Sequence, residues 1–281
     1  MKHRHSYCIF AVACLVIVPT VSPASDKDDT ASGVSLVGKR IVAKRIDVPV
    51  QVQTPDGQEH PAHGLIDAIS AVEAEDGNRV RVTQIGMKTW LSKNDVVPLD
   101  RAIEYFTARI ADNPKDAYGF ATRAIVLEDR QAYDSAIADH GKAIELEPAR
   151  AVYRFNRGHT YHLKKEYARA SQDYGEAIRL EPKHAGAYSA FAWLLATCPD
   201  DKFRDGPKAL QYANRAGDLA NWRDGNYFDT LGVAYAEAGD FDAAIEAQKK
   251  ALADESFAKK YGERARKRLE LYSQHQAFHE R

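Results

Sequence analysis

Residues 117–150, AYGFATRAIVLEDRQAYDSAIADHGKAIELEPAR, lie over residues 151–184, AVYRFNRGHTYHLKKEYARASQDYGEAIRLEPKH, without a gap, so the chain repeats itself every 34 residues. A unit this short cannot bury its own apolar face and must stack on copies of itself. The pattern predicts two antiparallel helices per unit. Ala124 and Gly158 are small where the first helix lies against the second, and Ala136 and Ala170 are small on the facing side. Close helix approach needs such residues. Tyr133 aligns with Tyr167, and both are predicted to plug the gap between units. Pro148 and Pro182 end the second helices, because proline lacks a donor and disfavours a helical residue before it.

The array extends both ways. Residues 99–114 place Ala102 and Phe106 as far from Pro114 as Ala136 and His140 stand from Pro148, predicting a lone second helix that caps the stack. Residues 115–255 form the array, with repeats at about 117–150, 151–184, 185–220 and 225–255. Residues 256–281 form a capping helix and tail. In that helix Phe257, Tyr261, Ala265, Leu269 and Tyr272 make one stripe, opposite a basic face of Lys259, Lys260, Arg264, Arg266 and Lys267. In the third repeat the second helix arrives five residues late, and the excess falls in TCPDDKFRDG, residues 197–206. A nucleophilic cysteine needs a lowered pKa and a nearby histidine, and no histidine is close in sequence. A calcium loop needs alternating oxygen ligands, which the stretch lacks. Asp and Gly are turn formers, so an enlarged turn is predicted, with Cys198 as a small apolar residue.

The period, with its small, aromatic and proline positions, resembles the tetratricopeptide repeat (TPR) family. The resemblance implies a superhelix whose concave groove is lined by each first helix. Transferred position by position, the groove candidates for a partner are Tyr118, Phe155, Asn156, His159, His162, Ser189, Trp193, Asn226 and Asp229, with Ala121, Ile125 and Val233 beside them. Aromatics, histidines and amides suit an extended or helical peptide. The basic clamp by which some members hold a C-terminal carboxylate falls on Ala121, Ile125, Asn156, Gly186 and Ala190, and only Asn156 matches.

The N-terminal third has another texture. Lys2 and Arg4 precede an apolar run from Tyr7 to Val18, then Pro19 and the small residues Ser22 and Ala24. This is the layout of a signal peptide over 1–24, cleaved after Ala24. An uncleaved anchor is the alternative, and after cleavage no membrane span remains. One cysteine, Cys198, would then be left, giving no internal disulfide. Residues 25–33 read as a linker. Over 34–98, short alternating runs and the Asp-Gly-Asn turn of AEDGNRVRV predict hairpins and a small barrel. Gly86, Trp90, Leu91, Asp95, Val96 and Val97 resemble bacterial SH3-like domains, which implies a β-barrel binding module, often for cell-wall glycan or peptide. The expected fold class is thus α+β, a small SH3-like barrel followed by an all-α solenoid.

With 39 basic and 40 acidic residues the formal charge is −1, which argues against nucleic acid. No phosphate loop, Gly-x-Ser-x-Gly elbow or His-Glu-x-x-His is present. His159 and His162 could share a helix face and hold a metal, but no third ligand is evident. The sequence therefore predicts an exported, periplasmic or secreted, non-enzymatic scaffold without cofactors that binds a protein or peptide partner. The alternative is a cell-wall-associated protein whose barrel binds glycan while the array recruits an enzyme.

Overall fold

Proline and small side chains set the helix pattern that the chain adopts. The structure, a computed structural model, describes residues 35–45, 48–53, 57–63, 69–84 and 87–280. The expected signal peptide and linker, and Gly86, lie outside the described residues. The chain divides into two compact units after Arg130, between the two helices of the expected first repeat.

Among the described residues of the first unit, the short strands are β1 (Arg40–Ala43), β2 (Pro49–Gln53), β3 (Glu59–His63), β4 (Ser70–Ala71), β5 (Ala74–Asp76), β6 (Arg79–Gln84), β7 (Met87–Ser92) and β8 (Val96–Pro98). They pair as two antiparallel sheets, ordered β4-β1-β8 and β3-β2-β7-β6-β5. The sequence predicts one closed barrel; the described pairings are two sheets that share a core of Ile41, Val48, Val50, Val80, Val82, Leu91 and Val96. Alternation does this: along β6, Val80 and Val82 are fully covered while Arg79 and Arg81 face away. The expected hairpin forms at Gly77-Asn78, with Asp76 opposite Arg79 and Gly77 at φ +56°.

Helices α1 (Leu99–Asp112) and α2 (Ala117–Asp129) complete this unit. Ala102, Phe106 and Val126 join Val42 and Val97 in a second core, so the helix predicted as a cap is packed with the strands. Paired hydrogen bonds from Arg40 to Asp129, of 2.6 and 2.8 Å, tie β1 to the end of α2.

The second unit is helical: α3 (Tyr133–Leu146), α4 (Ala151–Leu163), α5 (Tyr167–Leu180), α6 (Ala185–Thr197), α7 (Gly206–Ala220), α8 (Gly225–Glu237), α9 (Phe241–Ala253) and α10 (Glu255–Ser273). Three hairpins, α4–α5, α6–α7 and α8–α9, stack in order, and α10 closes on α9 and α8. Before Pro148 and Pro182 the backbone turns extended, at φ/ψ −132/73° for Glu147 and −134/87° for Glu181. Alanines 170, 177, 209, 216, 244 and 251 are fully covered where second helices meet their neighbours. Arg157 grips Asp173 with two bonds of 2.7 and 2.8 Å, fastening α4 to α5. The expected plug Tyr167 does reach the next unit, its ring lying 6.0 Å from Phe203, but a deeper wedge stands on the same helix. Tyr133 and Tyr167 are half-buried, whereas Tyr174 is fully covered between the rings of Phe155 and Phe191, each 6.1 Å away. A Cβ on Gly158 would stand 3.0 Å from the Tyr174 ring, so the small residue of α4 makes room for the wedge of α5.

The stretch TCPDDKFRDG is the turn that the sequence predicts. Cys198 caps α6, a 3-10 turn covers Asp201–Phe203, and the Asp205 carboxylate accepts the Lys208 amide at 3.0 Å to start α7. Arg204 binds the Cys198 carbonyl at 2.9 Å and Glu237 at 3.0 Å. Gly206 is required by a close approach: a Cβ there would lie 2.8 Å from the amide nitrogen of Ala238 and from the Glu237 carbonyl carbon and oxygen. Backbone cannot swing aside, so Gly206→Ala is expected to cost about 1–3 kcal/mol despite the better helix propensity of alanine. Thermal unfolding followed by circular dichroism checks this; an unchanged midpoint would show that the α7–α8 contact yields. No helix among the described residues is long and apolar enough to cross a membrane.

Candidate functional site

The C-terminal residues supply what the sequence alone left unassigned. After α10 the chain turns at His275, with φ +57°, and runs back over the ends of α8, α6 and α4. The His275 ring stacks on Phe241 at 5.3 Å. His279 meets Glu237, near the end of α8, at 2.7 Å. The Glu280 amide donates to the carbonyl of Thr197, the last residue of α6, at 2.8 Å, giving that helix-end carbonyl a partner.

Two expected groove residues hold the Glu280 carboxylate. His162, from α4, meets Oε2 at 2.9 Å, and the Trp193 indole N–H, from α6, donates to Oε1 at 2.8 Å. The glutamate side chain is about 10% exposed and that of His162 12%. Burial pushes the Glu280 carboxyl up. The hydrogen bond and charge of His162 act against it, with help from Trp193 and the His159 charge, and hold the group below the usual carboxylate range. Phe278 lies 6.3 Å from the Trp193 ring, and the Arg268 guanidinium of α10 sits over both rings, at 5.6 and 5.4 Å.

Arg268 is itself anchored from below. Its guanidinium makes bonds of 2.6, 2.7 and 3.1 Å to Asp229 of α8, which also accepts from Gln248 at 2.7 Å. The structure therefore gathers His162 and Trp193 around the tail and places Asp229 behind them as a support rather than an open contact. Ser189 is fully covered and bonded to Thr230 at 3.0 Å. Phe155 is buried against Tyr174 and His184. The Asn226 side chain donates to Asp224 at 2.6 Å. Asn156 and His159 are half-buried on α4. Tyr118 belongs to the first unit, where its hydroxyl donates to the Ala43 carbonyl at 3.1 Å and burial raises its pKa to about 12.

Arg268, Phe278, Glu280 and Thr197 were not among the sequence candidates. The one signal available was an aromatic and an acid, Phe278 and Glu280, spaced two apart beyond the last helical stripe. Cys198 is fully covered, and burial raises its thiol pKa, which disfavours the thiolate that a nucleophile needs. Trp90 is buried with Arg79 and Arg81 guanidiniums over its ring at 4.9 and 5.5 Å, leaving no open face for a sugar. Among the described residues no three His, Cys, Asp or Glu side chains gather in a metal-holding group.

The Glu280 carboxylate gives the tail a pH dependence with a definite sign. Its docked pKa is depressed, so the contact contributes fully above the free carboxylate value of about 4 and is lost as pH falls through the docked value. The titratable groups facing it are His162 and His159 of α4, with the Arg268 guanidinium of α10 over Phe278. Trp193 emission, taken as the difference from Trp193→Phe, is expected to change below about pH 4 before far-UV circular dichroism does. Emission and dichroism moving together would mean acid unfolding instead.

The tetratricopeptide repeat family model matches residues 151–184 and 226–253. No curated protein matches the chain. Among solved structures, a thermophilic TPR protein in Thermus thermophilus is 17% identical, with 60% of this chain and 89% of that one covered and a TM-score of 0.50. MamA is 21% identical over 58% of this chain and 92% of its own, with a TM-score of 0.48. YrrB, described as a TPR protein with an unusual peptide-binding site, is 22% identical over 62% and 93%, with a TM-score of 0.46. The helix pairs α4–α5 and α8–α9 of this chain are thus tetratricopeptide repeats.

Proposed function

We propose that this chain is an exported, non-enzymatic interaction scaffold that binds a peptide segment of a partner protein across α4, α6 and α8. One observation carries this: that face already holds a non-helical segment, Phe278–Glu280, through a carboxylate, an aromatic ring and a backbone amide. These are the three kinds of handle by which peptides are recognised. The strand unit fits an SH3-like module that would serve as a rigid platform, since its tryptophan is covered. Export rests on the charged start, apolar run and small residues of 1–24.

Selection of a random peptide library on the folded chain tests the binding role. Selected peptides are expected to lose binding to a His162→Ala/Trp193→Ala variant. Peptides indifferent to both substitutions would move the site elsewhere. Fractionation of cells making the chain with and without residues 1–24 tests export.

A further inference from the structure

We propose that the α4–α6 face selects partner peptides in which an aromatic residue stands two positions before a carboxylate side chain, and that the chain's own Phe278–Glu280 competes with them for it. This rests on the peptide-binding role proposed above and names the chemistry of the partner.

The acid is specified by its surroundings. His162 and Thr197 lie at the C-terminal ends of α4 and α6, where helix dipoles disfavour an anion. A carboxylate is nevertheless held there, one oxygen on His162 and the other on Trp193. A neutral side chain would leave the indole N–H and the imidazole without their charge-assisted bonds, which are the strong ones. The aromatic is specified by Trp193 and Arg268, which present an indole edge and a guanidinium to a single ring. The spacing is specified by the amide of Glu280 on Thr197, which fixes the backbone between the two side chains. The middle residue, His279, is exposed and meets the rim at Glu237, which also holds Arg204. An aromatic-x-acid pattern follows, with a basic middle residue allowed.

None of these grips requires that the segment be joined to α10. A peptide from another protein can make them all. The tail, though, is tethered, with an effective concentration on the order of millimolar. If the segment itself holds the open face with an intrinsic Kd of about 0.1 mM, that tether weakens the apparent binding of a competing peptide about tenfold. The tail thereby sets a threshold that a partner passes by adding contacts along α8.

The test uses the full chain and a fluorescent peptide of residues 274–280, read by anisotropy. A Phe278→Ala/Glu280→Gln variant, with folding checked by circular dichroism, is expected to bind the peptide about tenfold more tightly than the wild type. Adding His162→Ala is expected to abolish that gain, and a peptide carrying glutamine for the glutamate is expected not to bind. Equal affinity for wild type and variant would overturn the competition, and equal binding of the glutamine peptide would overturn the acid requirement. If library-selected peptides bind through Trp193 while the tail peptide does not, this proposal falls and the binding role stands; if neither binds, both fall. Concentration-dependent dimers of the wild type that dissolve in Phe278→Ala, seen by sedimentation, would replace a partner peptide with the tail of a second copy and overturn the proposal.

Discussion

Asp229→Ala is expected to lower the unfolding free energy by about 3–5 kcal/mol, the cost of leaving a buried charge without its partner. The Arg268 and Asp229 side chains are only 7% and 9% exposed, and the carboxylate holds the guanidinium through Nε and Nη2. With the carboxylate gone, Gln248 also loses the acceptor that it meets at 2.7 Å. Urea denaturation gives the measurement. The paired substitution Asp229→Leu/Arg268→Met removes both charges and is expected to recover most of the loss, because a well-packed apolar pair is often as stable as a buried ion pair. A double variant no better than the single one would mean that the pair also fixes the seating of α10. Asp229→Ala also frees the guanidinium that lies over Phe278, so tail docking is expected to weaken in the same variant.

Tyr174→Ala is expected to cost about as much, roughly 3–5 kcal/mol, by opening a cavity where two repeats meet. Its ring is fully covered between Phe155 of α4 and Phe191 of α6, so its removal unpacks both neighbours. Tyr174→Phe keeps the ring and is expected to cost no more than about 1.5 kcal/mol. A loss under about 1 kcal/mol for the alanine variant would show that α4 and α6 close over the gap.

The repeat was legible because its physics is local and periodic. Small residues, prolines and aspartate caps are each required within one helical turn of where they stand, so α3–α9 follow from the alignment of two segments and its extension. The enlarged turn at 197–206 was legible for the same reason, since Asp205 caps the backbone beside it; that Gly206 meets Glu237 and Ala238 was not. Tyr167 was legible as a contact to the next unit, but the fully enclosed Tyr174 was not, because both lie on one helix and only the neighbouring repeat decides which ring is enclosed. The two-sheet arrangement of the strand unit depends on long-range pairing, such as β1 with β8, that alternation does not encode. His162 and Trp193 were found by register. Their partner Glu280 was not, since a tail without periodicity gives no sign of where it returns.

Stacked helix pairs interact only with the next in line, so such arrays can unravel from either end. The bond between His162 and Glu280 breaks that rule, joining residues 118 apart in sequence and crossing two intervening hairpins. It works as a clasp: the last residues of the chain cannot leave without releasing the second repeat, and that repeat cannot open while the clasp is shut. Lifting the tail is therefore expected to loosen the terminal helices it came from and to make unfolding less cooperative.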